Sequence, residues 1–378
     1  MSEPVDNDKQ TPSPPSDVSD GRRHLLAETL TTLRRWLTEE GQPRYRAEQI
    51  ADWIYAKHAE SFDQMTNLSK SLRAWLNERA TLYQSCVARE SVSTDGTSKL
   101  LLRWPDDATV ETVWIPEAER NTACISSQVG CPVGCRFCAS GLGGLQRNLT
   151  AGEIVEQAMR VRRLIAASTE GESRLTNIVM MGMGEPLANY DAVMEAIRIF
   201  NAPWGMNIGA RKITVSTVGL PKQIRQLADE GLQFNLALSL HAADEDLRRE
   251  LIPWGNIRLA ELVSACAYFF KCTGREVTLE YTLLDEVNTR QRDAADLVAV
   301  ARSLRCNVNL LRYNPVPGLA YRRPSAETTY AFQRELRNRG LNAHIRTSRG
   351  QDIAAACGQL RRAVESDVPC AAEDAEGE

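Results

Sequence analysis

Three cysteines placed close together are the clearest chemical signal in this sequence. Cys131, Cys135 and Cys138 follow a C-x3-C-x2-C spacing in the stretch SSQVGCPVGCRFCASG, with Phe137 directly before the last cysteine. Structural zinc sites use four protein ligands and iron–sulfur clusters are normally held by four cysteines. Since no histidine lies near the loop in sequence, the spacing favours an iron–sulfur cluster with one iron open to a non-protein ligand. A zinc site remains an alternative.

Composition and charge describe the chain that must hold this loop. The 378 residues are 43% hydrophobic, which is enough for one large domain and a smaller one. The net charge of −4 is concentrated in the two ends, so the middle of the chain is mildly basic, which permits binding to nucleic acid. With no signal peptide and no apolar run of membrane length, we expect a cytoplasmic protein whose clustered thiols bind a metal group or act in catalysis.

Hydrophobic periodicity divides the chain into five segments. Residues 1–21 and 365–378 are acidic and predicted to be disordered, because they have little to bury. Residues 22–85 show helical periodicity and predict a small helical accessory domain. Residues 86–116 are strand-like with turn signals and predict a β-hairpin linker or extension, and residues 117–364 predict an α/β domain.

The α/β segment alternates strand and helix patterns. We predict strands at 123–128, 177–182, 212–217, 234–240, 276–284, 307–312 and 342–347. We predict helices at 151–168, 190–201, 221–230, 258–271, 290–304, 325–339 and 351–364. Such repeats form a parallel sheet with right-handed crossovers, as a closed barrel, a partial barrel or an open sheet. In each, the site lies at the carboxyl ends of the strands.

Longer motifs resemble the RlmN/Cfr family of RNA adenosine methyltransferases, which belong to the radical S-adenosylmethionine (SAM) enzymes. The similarity extends over residues 25–362. The motifs that carry it, in family order, are CISSQVGCPVGCRFCASGLGGLQRNLTAGEIV, VMMGMGEPLANY, RKITVSTVGLPKQI, LALSLHAADEDLRRELIPW, NVNLLRYNPVPG and GQDIAAACGQL. The resemblance implies a radical SAM partial (βα)6 TIM-like barrel. It also implies that the small N-terminal helical domain, residues 22–85, binds RNA.

The resemblance also implies the cofactors and the residues that bind them. Cys131, Cys135 and Cys138 would hold one [4Fe-4S] cluster, whose open iron chelates SAM. SAM contacts fall in the turn MGMGEP and at the ends of later strands. The implied SAM-binding residues are Gly184, Glu185, Ser216, Ser239, Leu240, His241 and Asn314.

Three further residues carry the reaction that the family implies. Cys357 accepts a methyl group from a first SAM, and a radical from a second SAM activates that methyl group for addition to an adenine ring carbon. Cys124 then attacks the Cys357 sulfur, and a transient disulfide releases the methylated RNA. Glu111 matches the proposed general base that removes the ring proton.

The implied substrates are 23S rRNA, at the peptidyl-transferase centre, and the adenosine 3′ to the anticodon in certain tRNAs, both methylated at adenine C2. We expect an external flavodoxin-like or ferredoxin-like electron donor, no membrane partner and a monomer. A Cfr-type enzyme that methylates C8 is the first alternative. A non-catalytic, zinc-stabilised RNA-binding protein is the second.

Overall fold

The computed structural model describes residues 21–169, 173–255 and 257–361. The expected disordered tails lie outside these residues, apart from Gly21. No helix in the described part of the chain is long and apolar enough to cross a membrane.

Three amphipathic helices form the N-terminal part of the chain. They are α1 (Leu30–Glu39), α2 (Arg46–Tyr55) and α3 (Lys70–Arg79). The side-chain oxygens of Thr29 and Ser69 accept hydrogen bonds from the first turns of α1 and α3, which is why those helices begin there. A short parallel pair, β1 (Arg23–His24) and β2 (Ala80–Thr81), joins the two ends of this segment. The helices fall where the periodicity predicts them.

One large sheet organises the rest of the described chain. Its strands are β3 (Cys86–Val92), β4 (Ser98–Arg103), β5 (Thr109–Glu117), β6 (Arg120–Cys124), β9 (Asn177–Met180), β10 (Ile213–Thr217), β11 (Asn235–Ser239), β12 (Val277–Leu283), β13 (Cys306–Arg312) and β14 (Ala343–Arg346). Their order in the sheet is β14-β13-β12-β11-β10-β9-β6-β5-β4-β3, so the sheet has two edges and does not close. A separate antiparallel pair, β7 (Gln128–Gly130) and β8 (Leu145–Asn148), brackets the cysteine loop.

The sheet has a parallel part and an antiparallel part. Strands β6 and β9 to β14 run parallel, and helices connect them. The helices are α4 (Ala151–Ser168), α5 (Tyr190–Asn201), α6 (Pro221–Asp229), α7 (Glu245–Leu251), α8 (Leu259–Thr273), α9 (Gln291–Arg302) and α10 (Ala326–Asn338). Strands β3 to β6 are antiparallel, so segment 86–116 extends the same sheet. Six βα units and an unclosed sheet agree with the predicted partial barrel.

Buried polar contacts join the N-terminal helices to α4. The Glu156 carboxylate is fully buried, lies 3.3 Å from His24 Nε2, and accepts hydrogen bonds from the backbone amides of Gln84 and Ser85. The Arg162 guanidinium donates to the carbonyls of Ile54 and Tyr55 at the end of α2. These contacts fix the helical segment against the barrel.

Two predicted elements are wrong. The predicted strand 123–128 is divided, because β6 ends at Cys124 and β7 begins at Gln128. The predicted helix 351–364 is absent from the described residues of that segment, where 351–361 form turns. Ala354 and Gly358 have left-handed φ angles of 51° and 84°, which end any helical hydrogen bonding there. The sequence reading also omits α7.

Candidate active site

A narrow cavity of about 150 Å³, partly open to solvent, lies at the carboxyl ends of the parallel strands. The three clustered cysteines form one side of it. Most of the other predicted site residues also line it, namely Gly184, Glu185, Ser216, Ser239, His241, Asn314 and Cys357. Parallel strands bring residues distant in sequence to one edge, so the placement follows from the topology.

The cysteine loop is fixed by backbone hydrogen bonds. The Cys131 amide donates to the Gly144 carbonyl at 3.0 Å, and the Cys138 amide donates to the Cys135 carbonyl at 3.1 Å. An apolar cluster that includes Val133, Phe137 and Leu251 packs beneath the three cysteines. The loop therefore has a defined shape that holds the three thiols at one side of the cavity.

The protonation of the three thiols depends on whether a cation is bound beside them. Burial, with a smaller contribution from the neighbouring Cys138, raises the pKa of Cys131 to about 12. Burial also raises the pKa of Cys135, as do the charges of Cys138 and Cys131. Without a cation the three groups stay protonated as thiols, because burial and mutual repulsion disfavour their thiolate forms. A bound group of positive metal ions would instead favour the thiolate forms, which are the forms that bind metal.

The three thiols form the set of cysteine ligands that this loop offers. They are free and line one cavity together. Among the described residues, no three His, Cys, Asp or Glu side chains are already placed to hold a single metal ion. A cluster of several atoms can take three cysteine ligands and keep one metal position open, so the residues present fit such a group.

The Glu185 carboxylate is held at the base of the cavity. Its oxygens accept hydrogen bonds from the Leu187 and Val218 amides, at 3.0 and 2.8 Å. Burial raises its pKa to about 7, although these amides and the Thr217 hydroxyl lower it. Gly184, with a φ of 101°, lies so close to Gln128 that a Cβ would meet the Gln128 Cβ at 2.7 Å.

Polar side chains follow the next strands. The hydroxyls of Ser216 and Ser239 lie 3.3 Å apart. The Nδ1 atom of His241 accepts a hydrogen bond from the Thr282 amide at 3.0 Å, and burial lowers the pKa of this histidine to about 3. We therefore assign the neutral tautomer with the proton on Nε2. Leu240 is fully buried beneath the site and does not line the cavity.

Asn314 supplies an observation that points to a polar ligand. Its Nδ2 donates to the Cys357 carbonyl at 3.2 Å, whereas its Oδ1 is buried without a hydrogen-bond partner among the described residues. A buried acceptor without a partner costs free energy, so an amino donor on a bound ligand would satisfy it. The SAM amino acid group carries such a donor.

The two remaining predicted cysteines approach the cavity from different elements. Cys357 lines the cavity and is exposed to solvent there. The surrounding protein raises the pKa of the Cys357 thiol, whereas the Arg346 guanidinium lowers it. Cys124, at the end of β6, is buried and does not line the cavity. Burial raises the pKa of Cys124 to about 12, with a further contribution from the neighbouring Cys357, so the two sulfurs lie within electrostatic range.

Glu111 lines a second, wider cavity of about 570 Å³. Its Oε1 lies 2.8 Å from Lys99 Nζ, and its Oε2 accepts a hydrogen bond from the Arg361 amide at 2.9 Å. Ser140 lines both cavities, so they adjoin at this residue. Glu111 is thus outside the cysteine cavity but beside the segment that carries Cys357.

Sequence reasoning missed three charged residues at the site. Glu280 and Arg346 line the cysteine cavity, with Arg346 Nη1 3.8 Å from Glu280 Oε2, and Lys99 pairs with Glu111. A charge inside an otherwise apolar parallel strand, as in VTLEYTL, is the signal that could have found Glu280.

Comparisons with known proteins agree with this geometry. Residues 24–82 match the family described as the ribosomal RNA large subunit methyltransferase N-terminal domain, and residues 125–298 match the radical SAM superfamily. The chain is 47% identical to a protein of Opitutus terrae named "Probable dual-specificity RNA methyltransferase RlmN 3", over 91% of this chain and 95% of that one. A "Probable dual-specificity RNA methyltransferase RlmN" of Bacillus licheniformis is 45% identical over 90% of this chain and 94% of its own length.

A solved structure supports the same relationship. The crystal structure of a radical SAM methyltransferase from Sphaerobacter thermophilus superposes with a TM-score of 0.87 at 48% identity, covering 89% of this chain and 99% of that chain. The predicted fold class is confirmed, and the superfamily implies a [4Fe-4S] cluster and SAM as cofactors. The chain belongs to the RlmN family of RNA methyltransferases within the radical SAM superfamily.

Proposed function

We propose that this chain methylates C2 of a specific adenosine in 23S rRNA and of the adenosine 3′ to the anticodon in certain tRNAs. The observation that carries the proposal is the position of Cys357, which lines the same cavity as Cys131, Cys135 and Cys138 and lies close enough to Cys124 to raise its pKa. A protein that only bound RNA would not need this arrangement of five cysteines. The names of the relatives support RNA as the substrate.

Each residue has a role in this proposal. Cys131, Cys135 and Cys138 hold the cluster, and Gly184, Glu185, Ser216, Ser239, Leu240, His241 and Asn314 shape the SAM site. When bound, the cluster and SAM supply, with one electron from an external carrier, the radical that removes a hydrogen atom from a methyl group. Residues 22–85 recognise the shape of the RNA, in agreement with the family match there.

Atoms and electrons balance in this reaction when the external electron carrier is the redox partner. The Cys357 thiolate takes a methyl group from a first SAM and, after loss of one hydrogen atom, the carbon bonds to the adenine ring. Glu111 accepts the proton from the ring carbon, and one electron leaves for the carrier. The Cys124 thiolate displaces the carbon from the Cys357 sulfur, the carbon takes up a proton, and two electrons from the carrier reduce the resulting disulfide.

The cellular setting completes the proposal. We infer a cytoplasmic monomer with a flavodoxin-like or ferredoxin-like carrier. The choice of C2 over C8 is a separate part of the proposal. A Cfr-type enzyme would place the methyl group on C8 with the same cysteines.

Covalent trapping tests the cysteine roles. Cys357→Ala should leave iron and sulfide content unchanged and form no adduct, because the methyl carrier is missing. Cys124→Ala should accumulate a protein–RNA adduct that survives a denaturing gel, because nothing attacks the Cys357 sulfur. Cys272→Ala is the matched control, since Cys272 is an exposed cysteine on α8 outside both cavities.

The control should behave as the wild type does. Methylated RNA from Cys357→Ala would remove Cys357 from the carrier role. Normal turnover by Cys124→Ala without an adduct would remove Cys124 from the release step.

A further inference from the structure

An almost buried ion pair lies beside the candidate active site. Lys99 on β4 and Glu111 on β5 are diagonal neighbours, because Lys99 is opposite Val113 and Leu101 is opposite Glu111. Diagonal residues on one face of an antiparallel pair are within reach of a long side chain. The Lys99 Nζ to Glu111 Oε1 distance is 2.8 Å, and the side chains are 12% and 10% exposed.

Both members of the pair also hold the segment that carries Cys357. Lys99 Nζ donates to the Ala354 carbonyl at 3.0 Å, and Glu111 Oε2 accepts from the Arg361 amide at 2.9 Å. These bonds lie three residues before and four residues after Cys357. One ion pair therefore fixes the segment on both sides of the proposed methyl carrier.

We propose that Lys99 is a positioning residue for the methylation step, holding the Glu111 carboxylate and the Cys357 segment in one fixed arrangement. The inference rests on the proposed function, in which Glu111 and Cys357 act on the same ring carbon. A general base must lie within hydrogen-bond reach of its proton, and a displacement of about 1 Å can cost about 100-fold in rate. A lysine is rarely buried unless it is paired, because removing its charge from water costs free energy. A positioning role explains why the chain keeps a lysine at this place.

The contacts of Lys99 and Glu111 join three parts of the site. Lys99 Nζ contacts both the Glu111 carboxylate and the Ala354 carbonyl. The other oxygen of the Glu111 carboxylate accepts from the Arg361 backbone amide. Lys99 therefore joins the carboxylate to the Cys357 segment directly.

The segment has further attachments that do not involve Lys99. Asp352 Oδ1 accepts from the Ser93 hydroxyl at 2.5 Å, and Asp95 Oδ2 accepts from the Gly350 amide at 3.0 Å. These bonds should keep the segment from unfolding when Lys99 is replaced, so the loss of Lys99 should change only the position of the segment relative to Glu111. Asp352→Asn, in contrast, weakens an attachment of the segment without touching Glu111, and so serves as the matched control.

The test follows two steps in the cluster-loaded, full-length protein. The first is transfer of a labelled methyl group from SAM to Cys357 without RNA. The second is the time course of the covalent protein–RNA adduct after RNA is added, measured on denaturing gels. Lys99→Met, Lys99→Arg and Asp352→Asn are compared with the wild type, with iron content and thermal unfolding as checks.

We expect Lys99→Met to methylate Cys357 as the wild type does and to resolve the adduct at least about tenfold more slowly. Lys99→Arg should restore most of the rate, because it keeps the cation, and Asp352→Asn should not accumulate the adduct. If Lys99→Met does not fold, Lys99→Gln replaces it with the same expectation.

Two results would overturn the inference. One is a wild-type rate of adduct resolution in Lys99→Met, and the other is equal accumulation in Asp352→Asn, which would make Lys99 merely structural. If neither the wild type nor Cys124→Ala forms any adduct, the proposed function fails and this inference fails with it. The two failures are therefore distinguishable.

Discussion

Replacing Gly130 tests whether the shape of the cysteine loop determines cluster binding. Gly130 has a φ of 79°, and a Cβ at this position would lie 2.0 Å from the Gly144 carbonyl oxygen. That oxygen accepts the hydrogen bond from the Cys131 amide, so Gly130→Ala must move the acceptor that orients the first cysteine. The substitution therefore perturbs the loop directly beside a predicted ligand.

The cost can be approximated from these two effects. A left-handed φ costs an alanine about 1–2 kcal/mol, and losing the hydrogen bond costs about 1–2 kcal/mol. If the loss of about 2–4 kcal/mol falls on the loop, cluster affinity should drop by about 30- to 1,000-fold. The fold should survive, because Val133 and Phe137 of the cysteine loop pack in a cluster separate from the main core.

Metal analysis of the anaerobically reconstituted protein measures this effect. Gly130→Ala should retain much less iron and acid-labile sulfide than the wild type while its thermal unfolding remains cooperative. Gly143→Ala is the matched control from the same loop, because a Cβ at Gly143 has no neighbour within 4 Å. Full iron and sulfide content in Gly130→Ala, with wild-type affinity, would refute the reasoning.

Three further predictions concern single side chains. Glu111→Gln should let the covalent adduct form but slow its resolution by about 100-fold or more, as seen on denaturing gels, because the amide cannot take the ring proton. Asn314→Ala should weaken SAM binding by about tenfold in equilibrium titration, since it removes the unpartnered acceptor and the hydrogen bond to the Cys357 carbonyl. Glu156→Ala should lower the free energy of unfolding by about 3–5 kcal/mol in denaturant titration, because it leaves buried donors unpaired. Burial raises the pKa of Glu156, but the His24 hydrogen bond and other contacts lower it below its usual value, so its contribution should be lost only as pH falls below the ordinary carboxyl range. An unchanged value in any of these assays would contradict the role assigned to the corresponding side chain.

The parts of the fold that local pattern determines were predictable from the sequence. The predicted helices 151–168 and 190–201 have the bounds observed for α4 and α5. In α4, Thr150 and Glu153 form a capping box that fixes the first turn, and the sequence shows both residues. The cysteine cavity was also predictable, because strand ends in a parallel sheet must meet at one edge.

Elements that depend on distant partners were not predictable. The alanine-rich segment 351–364 has a helical composition, yet residues 351–361 form turns whose carbonyls accept hydrogen bonds from Lys99, Asn314 and the Ala139 amide. Intrinsic propensity is weak beside such tertiary contacts. The pairing of Lys99 with Glu111 likewise requires the strand register, which the sequence alone does not supply.

The central claim is methylation of adenine at C2, and mass spectrometry of nucleosides tests it most directly. Unmodified 23S rRNA would be incubated without oxygen with cluster-loaded protein, SAM and a reductant, then digested to nucleosides. The account predicts 2-methyladenosine in the wild-type reaction and none with Cys357→Ala. Detection of 8-methyladenosine would contradict the regiospecificity, and the absence of any methylated adenosine with an intact cluster would contradict the proposed substrate.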